Sequence, residues 1–353
     1  MTKGVLILEE ILRLQIKIVP ELVEVLEKRY SMLRCIYFNQ PIGRRVLASK
    51  LQLGERIIRT ETGFLKDQNL ININAAGMTV TKDGEEIIEK LREFMIETRD
   101  ISGIEERLKT AMVMQKVIVV PGDCDTDHSV LREIAKEVAS YLKAVLKNDD
   151  ILGITGGTTV KEVVDNIPCN NQYKNVMVVP LRGGMGRNVE TQANTLASVL
   201  AGKLGGNYKM LHIPDNISRE VMETLMKEEE IRETVKVIQN ASIMLYGIGN
   251  AEHMAKKRGL SENKIQRIKS LGAVGEAYGC YFNEEGEVVY SSPTLAMSIK
   301  DVKKNILHLA VAGGKKKAEA ILSACRGNGN GVLFTDEATA EEILKLVSRE
   351  NVE

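Results

Sequence analysis

The chain has 353 residues, 44% hydrophobic and 27% charged, with a formal net charge of zero. That length can hold two or three soluble cores, and the neutral total confines any nucleic-acid surface to a local patch. Five scattered cysteines with no C-x-x-C pair argue against a disulfide or zinc framework and fit free thiols in a reducing compartment.

The N-terminal run VLILEEILRLQIKIVP carries Glu9, Glu10, Arg13 and Lys17, a charge pattern unlike a signal peptide. No apolar run reaches about 18 residues, so no membrane partner is expected and the expected location is the cytoplasm. Residues 5–100 read as helical almost throughout. Leu22, Leu26, Tyr30, Leu33 and Tyr37 recur at helical spacing. Two short helices are expected over 44–52 and 55–68, then a two-stranded hairpin in LININAAGMTVT and a further helix from about Lys82.

The 44–71 stretch, RRVLASKLQLGERIIRTETGFLKDQNLI, has the spacing of a helix-turn-helix, with the following hairpin as a wing. At about 100° per residue, Ile57, Ile58, Glu61, Thr62 and Leu65 share the packing face. Arg56, Arg59, Gly63 and Lys66 lie opposite, with Thr60 beside them. Arg44, Arg45, Lys50, Arg56, Arg59 and Lys66 face only Glu55 and Glu61 as acids between 41 and 66. Such an excess supplies phosphate contacts, and Arg can read guanine edges; Arg44, Arg45, Arg56, Arg59, Thr60 and Lys66 are the candidate DNA contacts. A solvated helix face, or a purely oligomerising N-terminal part, are the competing readings.

From Lys116 the texture changes. The runs KVIVVPGD, ILGITGG, NVMVVPLRGG, KMLHIP, SIMLYGIGN, LHLAVAGG and GVLFTD alternate with helical patterns, the signature of a parallel sheet flanked by helices. The expected organisation is an N-terminal domain over 1–92, a linker over 93–115 and an α/β domain over 116–353.

ITGGTT, VVPLRGGMGRN, MLYGIGNAEHM and LAVAGGKKKAEAI each join a strand to a helix through glycine. In an open parallel sheet these turns meet at the carboxyl edge, where ligands bind. Helix N-termini and nearby cations suit phosphate; the cations are Arg182, Lys257, Arg258 and Lys315 to Lys317. More than one cationic cluster suggests a ligand with two anionic ends and a sugar between them, touched by side chains such as Gln192 and Glu276.

GIGNAE lacks the third glycine of a dinucleotide fingerprint. PGDCDTDHS mixes hard and soft ligands too tightly for a standard metal site and reads as a polar loop. Glu276, Asp123 and His253 could each act as a base, but nothing pairs them with a nucleophile. No catalytic residue, metal or cofactor is expected, and a sugar-phosphate isomerase or deaminase is the alternative class.

QPIGRRVLASKL, VTKDG, GITGGTTV, VVPLRGGMG, TQANTLA, YGIGNAEHMAKKR, GEAYGCYFNEEGEVV and AVAGGKKKAEAI run through the whole chain in order. Together they resemble the SorC/DeoR class of transcriptional repressors. The resemblance implies a winged helix-turn-helix joined to a Rossmann-like sensor similar to glucosamine-6-phosphate deaminase and ribose-5-phosphate isomerase folds. It implies fructose 1,6-bisphosphate as the effector that relieves repression of glycolytic genes, and a homodimer or homotetramer on operator DNA.

By position it implies phosphate contacts from Thr158, Thr159, Arg182, Lys317 and the backbone of Gly184 and Gly186, with Gln192 and Glu276 on the sugar. Relatives carry two arginines after MAQ where this chain has Lys257-Arg258. If the contact is the first of these, Lys257 offers a point charge in place of a planar fork.

Overall fold

The structure is a computed structural model and describes residues 18–184, 188–214, 218–292 and 306–350. It divides into two compact units, 1–100 and 101–353.

In the first unit, α1 (Pro20–Asn39), α2 (Arg44–Leu51) and α3 (Glu55–Asp67) precede a hairpin of β1 (Ile71–Asn74) and β2 (Gly77–Val80), and α4 (Lys82–Thr98) follows. Leu33, Ile36, Leu47, Ile58, Leu65, Ile71 and Met78 form the core. Burying such side chains contributes about 1.5–3 kcal/mol each. Leu22, expected on the packing stripe of α1, is 53% exposed, while Tyr30 and Leu33 of that stripe are buried. The helical reading of residues 5–17 lies outside the described residues.

Between α2 and α3, Gln52 takes a left-handed conformation (φ 53°) and its N–H is bonded to carbonyls of the last turn of α2, which ends that helix and redirects the chain. The hairpin pairs Ile71 with Val80 and Asn74 with Gly77. Asn74 Oδ1 accepts from Ala76 N and Gly77 N at 3.0 and 3.1 Å, closing the turn. Ile42 bridges Met78 from the other side, so the wing is tied to the segment leading into α2.

The second unit opens with α5 (Ile101–Met112). The stretch read as a linker, 93–115, therefore holds the end of α4 and all of α5. Ile101, Ile104, Leu108 and Met112 of α5 are buried, spaced for a helix with one apolar face, and Val119 N donates to Glu105 Oε1 at 2.8 Å. Burial raises the Glu105 carboxyl despite that bond.

The parallel strands are β3 (Lys116–Val120), β4 (Ile151–Ile154), β5 (Met177–Pro180), β6 (Asn207–Tyr208), β7 (Ile243–Asn250), β11 (Leu307–Val311) and β12 (Gly331–Asp336). Among the described residues they run in the order β6–β5–β4–β7–β11–β12–β3, every pair parallel. Helices α6 (Ser129–Val145), α7 (Thr158–Asn166) and α8 (Ala193–Leu204) join the first of these strands. Helices α9 (Arg219–Leu225) and α10 (Glu229–Gln239) precede β7, and α11 (Ala251–Lys257) and α12 (Glu262–Ser270) follow it. The unit closes with α13 (Ala318–Cys325) and α14 (Glu337–Glu350). Val- and Ile-rich strands with residues buried on both sides are what two covered sheet faces demand.

From β4 the chain steps outward to β5 and β6, and from β7 outward the other way to β11 and β12. The crevice between β4 and β7 is the topological switch point, where an open α/β sheet binds its ligand. Past that point β7 leaves the parallel sheet. Its residues Ile248 to Asn250 pair antiparallel with β8 (Gly275–Ala277), which continues to β9 (Cys280–Phe282) and β10 (Val288–Ser291).

Candidate effector site and DNA-binding face

At the switch point lies a cavity of about 400 Å³. Its floor is the carboxyl end of β4 and the start of α7. Gly157 (φ 123°) precedes Thr158 at the helix start, and no side chain caps it among the described residues, so the first-turn N–H groups face a prospective anion. Gly156 must be glycine because a Cβ there would sit 2.6 Å from the Thr191 carbonyl; Gly157 N bonds that same oxygen at 2.8 Å. The 188–192 loop thus frames the GGTT turn.

The opposite wall is built on Glu276, 2% exposed. Its Oε1 accepts from Arg258 Nη2 at 2.7 Å and from Gly279 N at 2.6 Å, and lies 3.7 Å from Arg182 Nη1. The arrangement comes from a two-residue hairpin between β8 and β9. Tyr278 and Gly279 both have positive φ, 38° and 94°, the requirement of a type I′ turn. A Cβ at Gly279 would collide with the Arg182 guanidinium.

The turn sets Tyr278 into the cavity wall, edge-on to the buried Tyr246 ring at 4.9 Å. Burial raises the Tyr278 phenol, and burial plus the Glu276 charge push the Cys280 thiol up to about 12. Both stay protonated at neutral pH. With Oε1 shared by two arginines and an amide, Glu276 serves as an anchor for cations.

Lys317 enters from the loop after β11. That loop is seated by a buried carboxylate: Asp336 accepts from Thr339 N at 3.1 Å and Gly314 N at 3.5 Å, and also bonds Cys124 N. The PGDCDTDHS loop completes the seat, with Asp123 Oδ2 3.4 Å from Lys315 Nζ and Asp125 Oδ2 accepting from Lys316 N at 3.4 Å. Burial, with Asp336 adding to it, raises the Cys124 thiol far above its ordinary range.

Of the expected effector residues, Thr158, Thr159, Arg182, Gln192, Lys257, Arg258, Glu276 and Lys317 all line the one cavity. Arg182 and the Arg258 side chain are buried, whereas Lys257 is exposed. The expected amide contact from Gly184 is taken otherwise: its N–H bonds the Ile213 carbonyl at 2.9 Å, and Gly183 faces the cavity instead. Gly186 lies outside the described residues. Lining residues that the sequence reading missed include Asn188, Tyr278 and Asn250, whose positions depend on loops brought together from distant parts of the chain. Asp123, weighed as a base, is spent on the lysine loop, and His253 lies at the cavity edge.

In the first unit, α3 buries Ile58, Glu61, Thr62 and Leu65. Glu61 meets Lys28 Nζ at 2.7 Å and Arg29 Nε at 2.8 Å. Burial acts to raise its carboxyl, but these two bonds prevail and lower it. Arg44, Arg45, Arg56, Arg59, Thr60 and Lys66 are all exposed, and Arg45 makes a loose pair with Glu55 at 3.9 Å. One expected packing residue departs: Ile57 is 42% exposed, because the helix packs through a stripe centred on Ile58 and Leu65 that leaves Ile57 at its margin.

Residues 97–345 match the family described as "Putative sugar-binding domain", and residues 25–95 match the CggR N-terminal DNA binding domain. The central glycolytic genes regulator of Priestia megaterium is 38% identical over 339 residues, 96% of this chain and 99% of the relative. That of Bacillus subtilis is 34% identical over 338 residues, with 96% and 99% covered. Among solved structures, an Enterococcus faecalis protein assigned to the SorC family of transcriptional regulators superposes with TM-score 0.64 at 36% identity, covering 69% of this chain and 99% of that one. The full-length sorbitol operon regulator SorC of Klebsiella pneumoniae shares the fold, with TM-score 0.62 at 18% identity over 90% of this chain and 99% of its own.

A DNA-binding unit followed by a parallel-sheet sugar-binding unit, similar over nearly full length to named regulators, leaves one assignment: the chain belongs to the central glycolytic genes regulator family of transcriptional regulators, within the SorC/DeoR class.

Proposed function

We propose that the chain represses glycolytic genes in the cytoplasm, as a homodimer or homotetramer on a two-fold operator, and that fructose 1,6-bisphosphate in the switch-point cavity releases it. The observation that carries this reading is the meeting of two cationic ends in one cavity. We read the Thr158 and Thr159 amides with Lys317 as one end and Arg182 with Arg258, gathered on Glu276, as the other, with Gln192 in the same lining. A cavity of about 400 Å³ is at the lower end of small-ligand sites, suited to a sugar carrying two phosphates.

The effector can act only through differential affinity for two protein arrangements. Charge-assisted bonds to the second phosphate separate a bisphosphate from a monophosphate.

The test is fluorescence anisotropy of a duplex from upstream of the protein's own gene, titrated with fructose 1,6-bisphosphate at fixed salt. Weakening of the complex is expected, with fructose 6-phosphate much less effective. Tight binding indifferent to the bisphosphate would discard the effector and keep the regulator.

A further inference from the structure

Two residues on α3 do not behave as a solvated cationic face should. Ile57 is 42% exposed in the first turn, and Thr60 follows at i+3, on the same side of the helix. The Thr60 hydroxyl is committed to the helix itself, donating to the Arg56 carbonyl at 3.1 Å. What Thr60 offers outward is therefore its γ-methyl. Scattered exposed apolar residues are ordinary, but this pair is flanked by Arg56 and Arg59, which are exposed as well. The other exposed apolar side chain on α3, Phe64, is 38% exposed and already carries Arg29, whose Cζ stands 3.6 Å from its ring centroid. Ile57 and Thr60 are thus a small apolar edge within a cationic surface, near the end of the helix that a helix-turn-helix points at bases.

The major groove presents one apolar group, the thymine C5-methyl, and small aliphatic side chains recognise it by contact. We infer that Ile57 and the γ-methyl of Thr60 read thymine methyl groups, giving the regulator sequence discrimination that its arginines do not supply. This rests on α3 being the helix that enters the groove, and it gives Thr60 a methyl contact as its role.

Duplexes selected from a random-sequence library by the full-length protein provide the probe. Each thymine is replaced in turn by uracil, which removes only the methyl. At one or two thymines per half-site the wild-type protein is expected to lose about fourfold in affinity, the worth of roughly one buried methyl. Ile57→Ala and Thr60→Ser should abolish that uracil penalty, while Thr60→Val, which keeps the methyl, retains it.

Uracil substitutions without effect, or an equal penalty in wild type and Ile57→Ala, would overturn the inference. So would Ile57→Ala that dissociates the oligomer and leaves DNA affinity intact, which would make Ile57 a protein contact. An Arg56→Ala/Arg59→Ala control separates the two levels. If it weakens all duplexes while uracil has no effect, only the methyl reading fails; if it weakens none, the groove assignment of α3 fails with it.

Discussion

Arg258 Nη2 lies 2.7 Å from Oε1 of Glu276, two side chains almost wholly removed from solvent, one just past the end of α11 and the other in β8. The same oxygen takes the Gly279 amide and stands near Arg182. One carboxylate therefore holds two guanidiniums in place before any ligand arrives. A ligand binding as proposed would meet a preformed cationic wall, with the ordering of those side chains already complete.

Glu276→Ala should destabilise the second unit by about 3 kcal/mol, because removing one member of a buried charged set leaves the others without their counter-charge. Urea unfolding of the variant should show the loss, and added bisphosphate should restore part of it by occupying the same cations. No change in the midpoint would mean that Glu276 is not the anchor.

Asp336 collects the amides of Cys124, Gly314 and Thr339 under the Lys317 loop. Asp336→Ala strands the Cys124 and Thr339 amides, at a cost of about 2 kcal/mol, and loosens the loop that carries Lys317, although Gly314 N keeps its 2.7 Å bond to Thr339 Oγ1. Calorimetry should find weaker bisphosphate binding in this variant although Asp336 itself is not among the residues lining the cavity. Unaltered binding would place Lys317 outside the site.

His308 in β11 is held down to about 4, from an ordinary 6.5, because burial penalises its charged form. Between those values the unfolded chain binds a proton that the folded chain refuses. Its contribution is intact above about pH 6.5, declines as pH falls toward 4, and is flat below that. The full span corresponds to about 3 kcal/mol. As pH is lowered from 7 to 4, stability should fall more steeply for the wild type than for His308→Asn, and parallel curves would refute the assignment.

Arg56 and Arg59 stand exposed on α3. If both meet phosphates, Arg56→Ala/Arg59→Ala should flatten the dependence of log affinity on log salt by roughly two units of slope. A weaker complex with an unchanged slope would instead assign the arginines to base edges. Unchanged affinity would move the DNA contact elsewhere on the unit.

Much of this is legible along the chain, for physical reasons. Helices α2 and α3 and the hairpin follow from local periodicity and turn chemistry, which act over a few residues. Strand ends rich in glycine announce the carboxyl edge of a parallel sheet, so Thr158, Thr159, Arg182 and Lys317 belong on one edge by their positions in the sequence alone. Tertiary contact decided the rest. Ile57 reads as core by its helical angle, yet the position of the packing stripe leaves it exposed. Residues 93–115 change in texture like a linker, but α5 folds its apolar face onto the second unit.

The hub at Glu276 joins Arg182, Arg258 and Gly279, and the Asp336 seat joins β12 to loops after β3 and β11. Sequence by itself determined which residue types stand at the strand ends and on the helix faces, because those patterns are set by backbone period. Which of them share a carboxylate, and which amide is already taken, depends on chain segments far apart in sequence closing around one buried charge, and only the folded molecule decides that.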